Sequence, residues 1–342
     1  MKYSIIVPVY NEEEVVLECY RRLTEVMQQT GETYELIFVN DGSRDQTAAM
    51  VTQLCNTDSS VKMIDFSRNF GHQIAITAGM DSASGEAIVV IDADLQDPPE
   101  LILQMIEKWK EGYDVVYATR AERKGETGFK KWSAALFYRT LNKLSDIDIP
   151  LDTGDFRLID RKVCEAMKSL KESNRFVRGL VSWVGFRQTS IAYVREERFA
   201  GETKYPLKKM LRFASDALIA FSLKPLRLAS VLGSFVSLFS FIFLLFVVGQ
   251  KLMNFSTTPG WASIIACILF LNGIMLVILG VLGEYVGRIY DEVKGRPLYL
   301  VQEKRNFVQQ QQQPLHDQHI VTEQRAVNDQ RQMNQEKRYV GF

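Results

Sequence analysis

The stretch IDADLQDPPE (residues 91–100) closes the apolar run 87–91 and sets Asp92, Asp94 and Asp97 within six positions, ahead of two prolines. Carboxylates this close repel one another and raise each other's pKa. Two readings of such a strand end are open. Asp92 and Asp94, two apart in an extended turn, can share a divalent cation with a substrate diphosphate. Alternatively the turn is simply solvated, with Asp97 as the N-cap of a helix that begins near Pro98 or Pro99.

Outward from this stretch the chain alternates short β-branched runs with helix-like segments. YSIIVPV (3–9), YELIFVN (34–40), VKMIDF (61–66), EAIVVID (86–92) and YDVVYAT (113–119) read as strands, and 12–28, 46–55, 72–83 and 99–110 as helices. That alternation predicts an α/β fold with a mostly parallel, Rossmann-like sheet covered on both faces. Ligands of such sheets sit at the carboxyl edge of the strands. Polar clusters follow the first four strands in turn: PVYNEE, NDGSRD, SRNFGH and DADLQD. In NDGSRD, Asp41 ends a strand, Gly42 permits a tight turn, and Ser43 and Asp45 are candidate caps; Asn11 is a candidate cap in PVYNEE. From 131 to 194 the pattern is mixed: helical 132–144, the loop-like DIPLDTGDFRLID (148–160), helix-like 161–171 and the alternating GFRQTSIAYV (185–194).

The 41 basic residues balance the 41 acidic ones, which argues against a nucleic-acid binder. The asymmetry lies elsewhere. No charged side chain occurs in 228–250 or in 252–283, and each run has the roughly 20 apolar residues that a membrane-crossing helix needs. Lys204, Lys208, Lys209, Arg212, Lys224 and Arg227 precede the first run, and Arg288, Lys294 and Arg296 follow the second, against only Lys251 between them. Both flanks are therefore expected on the cytoplasmic side. YSIIVPV lacks the basic, long apolar character of a cleavable signal. Leu207, Met210, Leu211, Ala214, Leu218 and Phe221 form one helical face, expected to lie in the membrane interface or, in the alternative reading, to pack on the globular domain as a surface helix. Ser230, Gly233, Ser234 and Ser237 in one run, and Gly283 and Gly287 after the other, offer small-residue faces for helix pairing or a homo-oligomer, a tetramer among the options. Beyond Val301 the chain turns polar, with five glutamines at 309–313, and reads as a disordered tail. Four cysteines without C-x-x-C spacing fit a reduced compartment, and three scattered histidines make no zinc site, so a metal here would be held by oxygen.

Taken together, VPVYNEE, NDGS and DADLQD resemble the family 2 glycosyltransferases of the GT-A fold. TGDFRLIDR (153–161), RFVRGLVSWVGF (175–186), RFAGETKYPLKKM (198–210) and the paired apolar runs resemble the branch that moves a hexose onto a polyprenyl phosphate, the bactoprenol glucosyltransferases and dolichol-phosphate mannosyltransferases. The likeness runs from about residue 3 to 296. It implies a cytosolic GT-A domain (1–200), a juxtamembrane amphipathic helix (201–226), a two-helix transmembrane hairpin (227–287) and a polar cytosolic tail (288–342) in the cytoplasmic membrane of the cell envelope. It also implies inverting transfer from a nucleotide sugar, UDP-glucose first, with Mg²⁺ or Mn²⁺ on Asp94 and Asp92 and with Gln96 nearby. Pro8, Tyr10, Glu12 and Asp41 match nucleoside-lining positions. Asp155 matches the acceptor-side carboxylate, and Arg120, Arg123, Arg198 and Lys204 are the candidates to grip phosphates, with Arg198 counted among the catalytic set. A phosphate monoester with its second pKa near about 6 is already a dianion at neutral pH, so Asp155 is expected to orient groups rather than to act as a base. Two other readings are a processive polysaccharide synthase, which would carry a Q-x-x-R-W segment where this chain has VSWVGF, and a membrane-anchored scaffold that has lost catalysis.

Overall fold

The computed structural model describes residues 1–122, 153–170, 172–173, 175–194, scattered positions between 226 and 242, and 260–307. Strand β1 (Tyr3–Val9) is buried along its whole length, as a strand with apolar residues on both faces must be. Parallel to it lie β2 (Tyr34–Asn40) on one side and β4 (Ala87–Val90) on the other, and β3 (Val61–Phe66) extends the sheet beyond β2. The crossovers are α1 (Val16–Gln28), α2 (Thr47–Thr57) and α3 (His72–Ser82); α4 (Leu101–Lys110) leads on to β5 (Val115–Glu122). Helix α1 buries Val16, Cys19, Leu23, Val26 and Met27, an i, i+3, i+7 stripe against the sheet, and each fully buried Val, Leu or Met contributes about 1.5–3 kcal/mol.

The chain then departs from simple alternation. Residues 153–160, expected as a loop, are a buried strand, β6 (Thr153–Asp160), which runs antiparallel between β4 and β5. The reason is chemical: its polar Thr153, Asp155 and Arg157 are buried with partners, so polarity here marks an interior site and not a solvated loop. After α5 (Arg161–Ser169) and α6 (Val177–Trp183), β7 (Gln188–Val194) pairs parallel with β5.

Helix α7 (Trp261–Val293) follows, and an 18-residue window within Phe270–Val293 has mean hydropathy 1.8 with no residue buried. It is the one helix among the described residues long and apolar enough to cross a membrane. The run 228–250 lies mostly outside the described residues; its described positions are helical up to 242, and a Cβ on Gly233 would come within 3.4 Å of Ile278 Cδ1. The interfacial stretch 207–222 is outside them too. Residues 301–305, expected to belong to the irregular tail, instead form β8 (Val301–Arg305), antiparallel to β3. Among the described residues the sheet thus has eight strands in the order β7-β5-β6-β4-β1-β2-β3-β8.

Candidate active site

Because β1 to β4 are parallel, their four following loops meet at one edge, where they are stitched together by their own polar side chains. Asn11 Oδ1 accepts from the Arg44 amide (2.8 Å), the Asn11 amide donates to Ser43 Oγ (3.0 Å), and the Glu12 amide donates to Thr47 Oγ1 (2.8 Å). Asn11 takes φ +53 to do so and is a loop clasp, not the cap of α1, which begins five residues later. Asp45 accepts from the Thr47 amide that opens α2 (3.0 Å), but it is not the N-cap, a position held by Gln46. Asp41, 3% exposed, accepts from the amides of Phe70 (2.6 Å) and Gly71 (2.9 Å), so its carboxylate holds loop 67–71. Burial pushes its pKa up in spite of these amides. Gly42 makes the approach possible: at φ +68, a Cβ would stand 2.6 Å from Arg68 C and Asn69 N.

The 91–100 turn is built around buried Leu95, whose φ of +57 costs about 1–2 kcal/mol that its apolar burial offsets. Asp94 Oδ1 accepts from the Gln96 amide at 3.1 Å. Asp97 is not an N-cap. Helix α4 begins at Leu101, and the buried Asp97 carboxylate accepts instead from the Tyr193 hydroxyl of β7. Asp92 Oδ1 is buried without a hydrogen-bond partner, 3.4 Å from His72 Nε2.

The antiparallel β4–β6 register runs from Ala87 with Asp160 to Val90 with Arg157, and Asp92 and Asp155 each lie two residues beyond its last pair. The same imidazole serves both: His72 Nε2 is 3.3 Å from Asp155 Oδ2. Asp155, 7% exposed, also receives Gln73 Nε2 (3.0 Å) and faces Arg178 Nε (3.2 Å) and Arg157 Nη2 (3.9 Å). Gln73 is a two-ended clamp, since its Oε1 accepts from the Val177 amide (2.9 Å) at the start of α6. Arg178 Nη1 donates to the Thr153 carbonyl (3.0 Å). Burial alone would push Asp155 up, but Arg178, His72 and Arg157 together hold its carboxyl well below the usual carboxylate range. Burial works against the His72 imidazolium, yet Asp92 and Asp155 outweigh it and raise the ring to about 9. Asp92 goes the other way, to about 6, through burial and the neighbouring Asp155, Asp97 and Asp94, with His72 only partly compensating. Burial brings Arg157 down to about 10 against the attraction of Asp155.

The structure therefore joins Asp92 and Asp155, from the two halves of the domain, and keeps Asp94 and Gln96 on the same turn. Pro8 is buried in β1 opposite Val39; Tyr10 and Glu12 lie partly exposed in the adjoining loop, where the Glu12 carbonyl receives the first amides of α1. Arg120 stands in β5 opposite Tyr193. Arg123, Arg198 and Lys204 lie outside the described residues. Sequence reasoning missed His72, Gln73 and Arg178. SRNFGH and RFVRGLVSWVGF contained His72 and Arg178, but as motif members without a role.

Two carboxylates on one turn, one with a buried oxygen that has no hydrogen bond, form an oxygen donor set that fits Mg²⁺ or Mn²⁺. Among the described residues no group of three or more acidic, His or Cys side chains could hold a metal. Such an ion would therefore need oxygens from substrate or water to complete its shell.

The model of the family described as Glycosyl transferase family 2 matches residues 4–167. The chain is 65% identical over 302 residues to the uncharacterized glycosyltransferase YkcC of Bacillus subtilis, spanning 88% of this chain and 94% of that one. It is 42% identical over 301 residues to the SfII prophage-derived bactoprenol glucosyl transferase of Shigella flexneri, spanning 88% and 97%. Among solved structures, glucosyl-3-phosphoglycerate synthase from Mycobacterium tuberculosis superposes with a TM-score of 0.43 at 16% identity, over 64% of this chain and 76% of its own. With nearly full-length relatives at such identity, and with the edge motifs gathered at one site on a GT-A-like sheet, the chain belongs to the family 2 glycosyltransferases.

Proposed function

We propose that this enzyme transfers a hexose, with UDP-glucose as the first donor, to undecaprenyl phosphate or a related polyprenyl phosphate, with inversion, at the cytoplasmic face of the membrane. The observation that supports the reading is the meeting of Asp92 and Asp155 at one imidazole; in this reading Asp92 is the donor-side and Asp155 the acceptor-side carboxylate. The bactoprenol glucosyl transferases, similar over nearly their whole length, support the lipid acceptor.

In this reading Pro8, Tyr10 and Glu12 line the nucleoside, and Asp41 acts by fixing loop 67–71 beside it. Asp92 and Asp94 would hold Mg²⁺ or Mn²⁺, which offsets the charge building on the departing nucleoside diphosphate. A phosphate oxygen of the acceptor attacks the anomeric carbon as the bond to the diphosphate breaks. The acceptor dianion needs no base. Asp155, held ionised by its cations, is a poor proton acceptor and instead orients Arg178 and His72 toward the phosphate. Arg120, Arg123, Arg198 and Lys204 add phosphate contacts.

The membrane placement has topological support. β7 and β8 belong to one sheet, so the chain between them crosses the bilayer an even number of times, or not at all. If α7 crosses once, a second span must accompany it; Ile278 Cδ1, 3.4 Å from where a Cβ on Gly233 would stand, favours the run 228–250. A polyprenyl tail costs about 0.8 kcal/mol for each CH₂ taken from lipid, so the phosphate is met at the interface. The test is a panel of labelled nucleotide sugars offered to the membrane-embedded enzyme with undecaprenyl phosphate and Mn²⁺ or Mg²⁺. UDP-glucose is expected to label a butanol-extractable lipid; no labelled lipid from any donor would favour the catalytically inactive scaffold.

A further inference from the structure

We infer that the cytoplasmic end of α7 registers the Asp155 centre to the membrane through Glu292 and Ser173. Helix α7, at about 1.5 Å per residue, is about 50 Å long, well beyond the roughly 30 Å of a bilayer's hydrocarbon core. Its sequence is uncharged through Gly283 and then carries Glu284, Arg288, Asp291 and Glu292. The last turns therefore stand outside the lipid, next to the catalytic domain. There both carboxylate oxygens of Glu292 are used: one accepts from the Ser173 amide (2.8 Å), the other from Ser173 Oγ (3.0 Å).

Ser173 lies in the connector between α5 and α6, five residues before Arg178. The far end of that connector is tied to the reaction centre by the Val177 amide on Gln73, by Gln73 on Asp155 and by Arg178 on Asp155. One short segment thus runs from a membrane helix to the acceptor-side carboxylate. A second anchor attaches the same helix end to the other half of the domain. Tyr299 donates to Asp81 (3.0 Å) and stacks on Phe66 with ring centroids 5.2 Å apart, and β8 follows on β3. Loss of the Glu292–Ser173 contact therefore leaves α7 attached and releases only the connector. Glu292 and Ser173 are positioning residues, and their effect should appear only when the acceptor's height is fixed by the bilayer.

The inference rests on the proposed lipid acceptor, and two acceptors separate the two ideas. Full-length wild-type, Glu292→Ala, Glu292→Gln and Ser173→Ala proteins in vesicles are offered undecaprenyl phosphate in the bilayer and, separately, a short water-soluble prenyl phosphate. With the embedded acceptor Glu292→Ala should lose about tenfold in rate, the equivalent of one charge-assisted hydrogen bond, while the soluble acceptor changes by less than about twofold. Glu292→Gln, which can still accept one bond, and Ser173→Ala, which keeps the amide, should lose less, with the donor KM unchanged in all three. Equal losses on both acceptors, or no loss on either in variants that melt like wild type, overturn the inference. A wild-type protein that glycosylates neither acceptor overturns the proposed function and this inference with it.

Discussion

Replacing Asp155 by asparagine tests the centre most directly. The carboxylate neutralises Arg178 at 3.2 Å, His72 at 3.3 Å and Arg157 at 3.9 Å, and the Arg157 side chain is only 5% exposed. Removing one partner of a buried ion pair costs about 3–5 kcal/mol, because the other charge remains without compensation. Asparagine still accepts from Gln73, so the lower end, about 3 kcal/mol, is expected. At roughly 2–4 °C per kcal/mol for a domain of this size, the melting temperature should fall on the order of 10 °C. Transfer should fall on the order of a hundredfold, the scale of a 1 Å misplacement of reacting groups, because Arg178 and the start of α6 lose their anchor. An acidic limb should persist, since Asp155 moves no proton, while any alkaline limb moves to lower pH because His72 loses one of the two carboxylates that raise it. Measuring kcat/KM from pH 5 to about pH 9 beside a thermal melt decides the matter. An acidic limb that disappears in the variant would show Asp155 to be a base, and an unchanged melting temperature would show that it is not the charge hub.

Asp94→Ala should abolish lipid glycosylation and weaken Mn²⁺ binding as read by titration of the donor-loaded protein; full transfer by this variant in chelator-treated buffer would remove the metal from the account. Gln73→Leu leaves the Val177 amide without its acceptor and Asp155 without one donor, so KM for the acceptor should rise several-fold with KM for the donor unchanged, and an equal rise in both would contradict the clamp. Glu35, fully buried, accepts from Ser4 (2.5 Å) and the Ser84 amide (2.7 Å) and pairs with Lys62 (2.5 Å). Burial pushes its pKa up, but Lys62, Ser4 and Ser84 outweigh it and hold the value below the ordinary 4.5. A depressed native pKa means that this stabilisation is fully present above 4.5 and is lost as pH falls from there through the native value. Glu35→Gln should therefore lower the urea midpoint at pH 7, with the gap to wild type closing in acid; a gap that widens below pH 4 would reverse the assignment.

The parallel half of the fold was legible because its signal is local. Buried strands such as YSIIVPV and YELIFVN are continuous apolar runs, and their polar loops fall in order at one edge. β6 was not legible because Asp155 finds its partners in Gln73 and His72 of α3 and Arg178 of α6, long-range contacts that let a buried strand look like a loop. Asp97 was misread for the same reason: its partner, Tyr193, is 96 residues away. His72 and Gln73 looked like the opening of an ordinary helix, and only the β4–β6 register reveals that this opening faces two carboxylates. β8 is polar because it is an edge strand, so composition could not separate it from the tail that follows.

The position of β8 also sets the order in which the protein can be made. The strand that covers β3 leaves the ribosome roughly a hundred residues after β7, at 5–20 residues per second a wait on the order of ten seconds. During that interval β3 presents bare amides and carbonyls beside Phe66 while the apolar runs 228–250 and 252–283 are being made. A translation product stopped before residue 301 would keep Asp92 and Asp155 and yet expose a ready template for intermolecular strand pairing, so chains that lack β8 should aggregate.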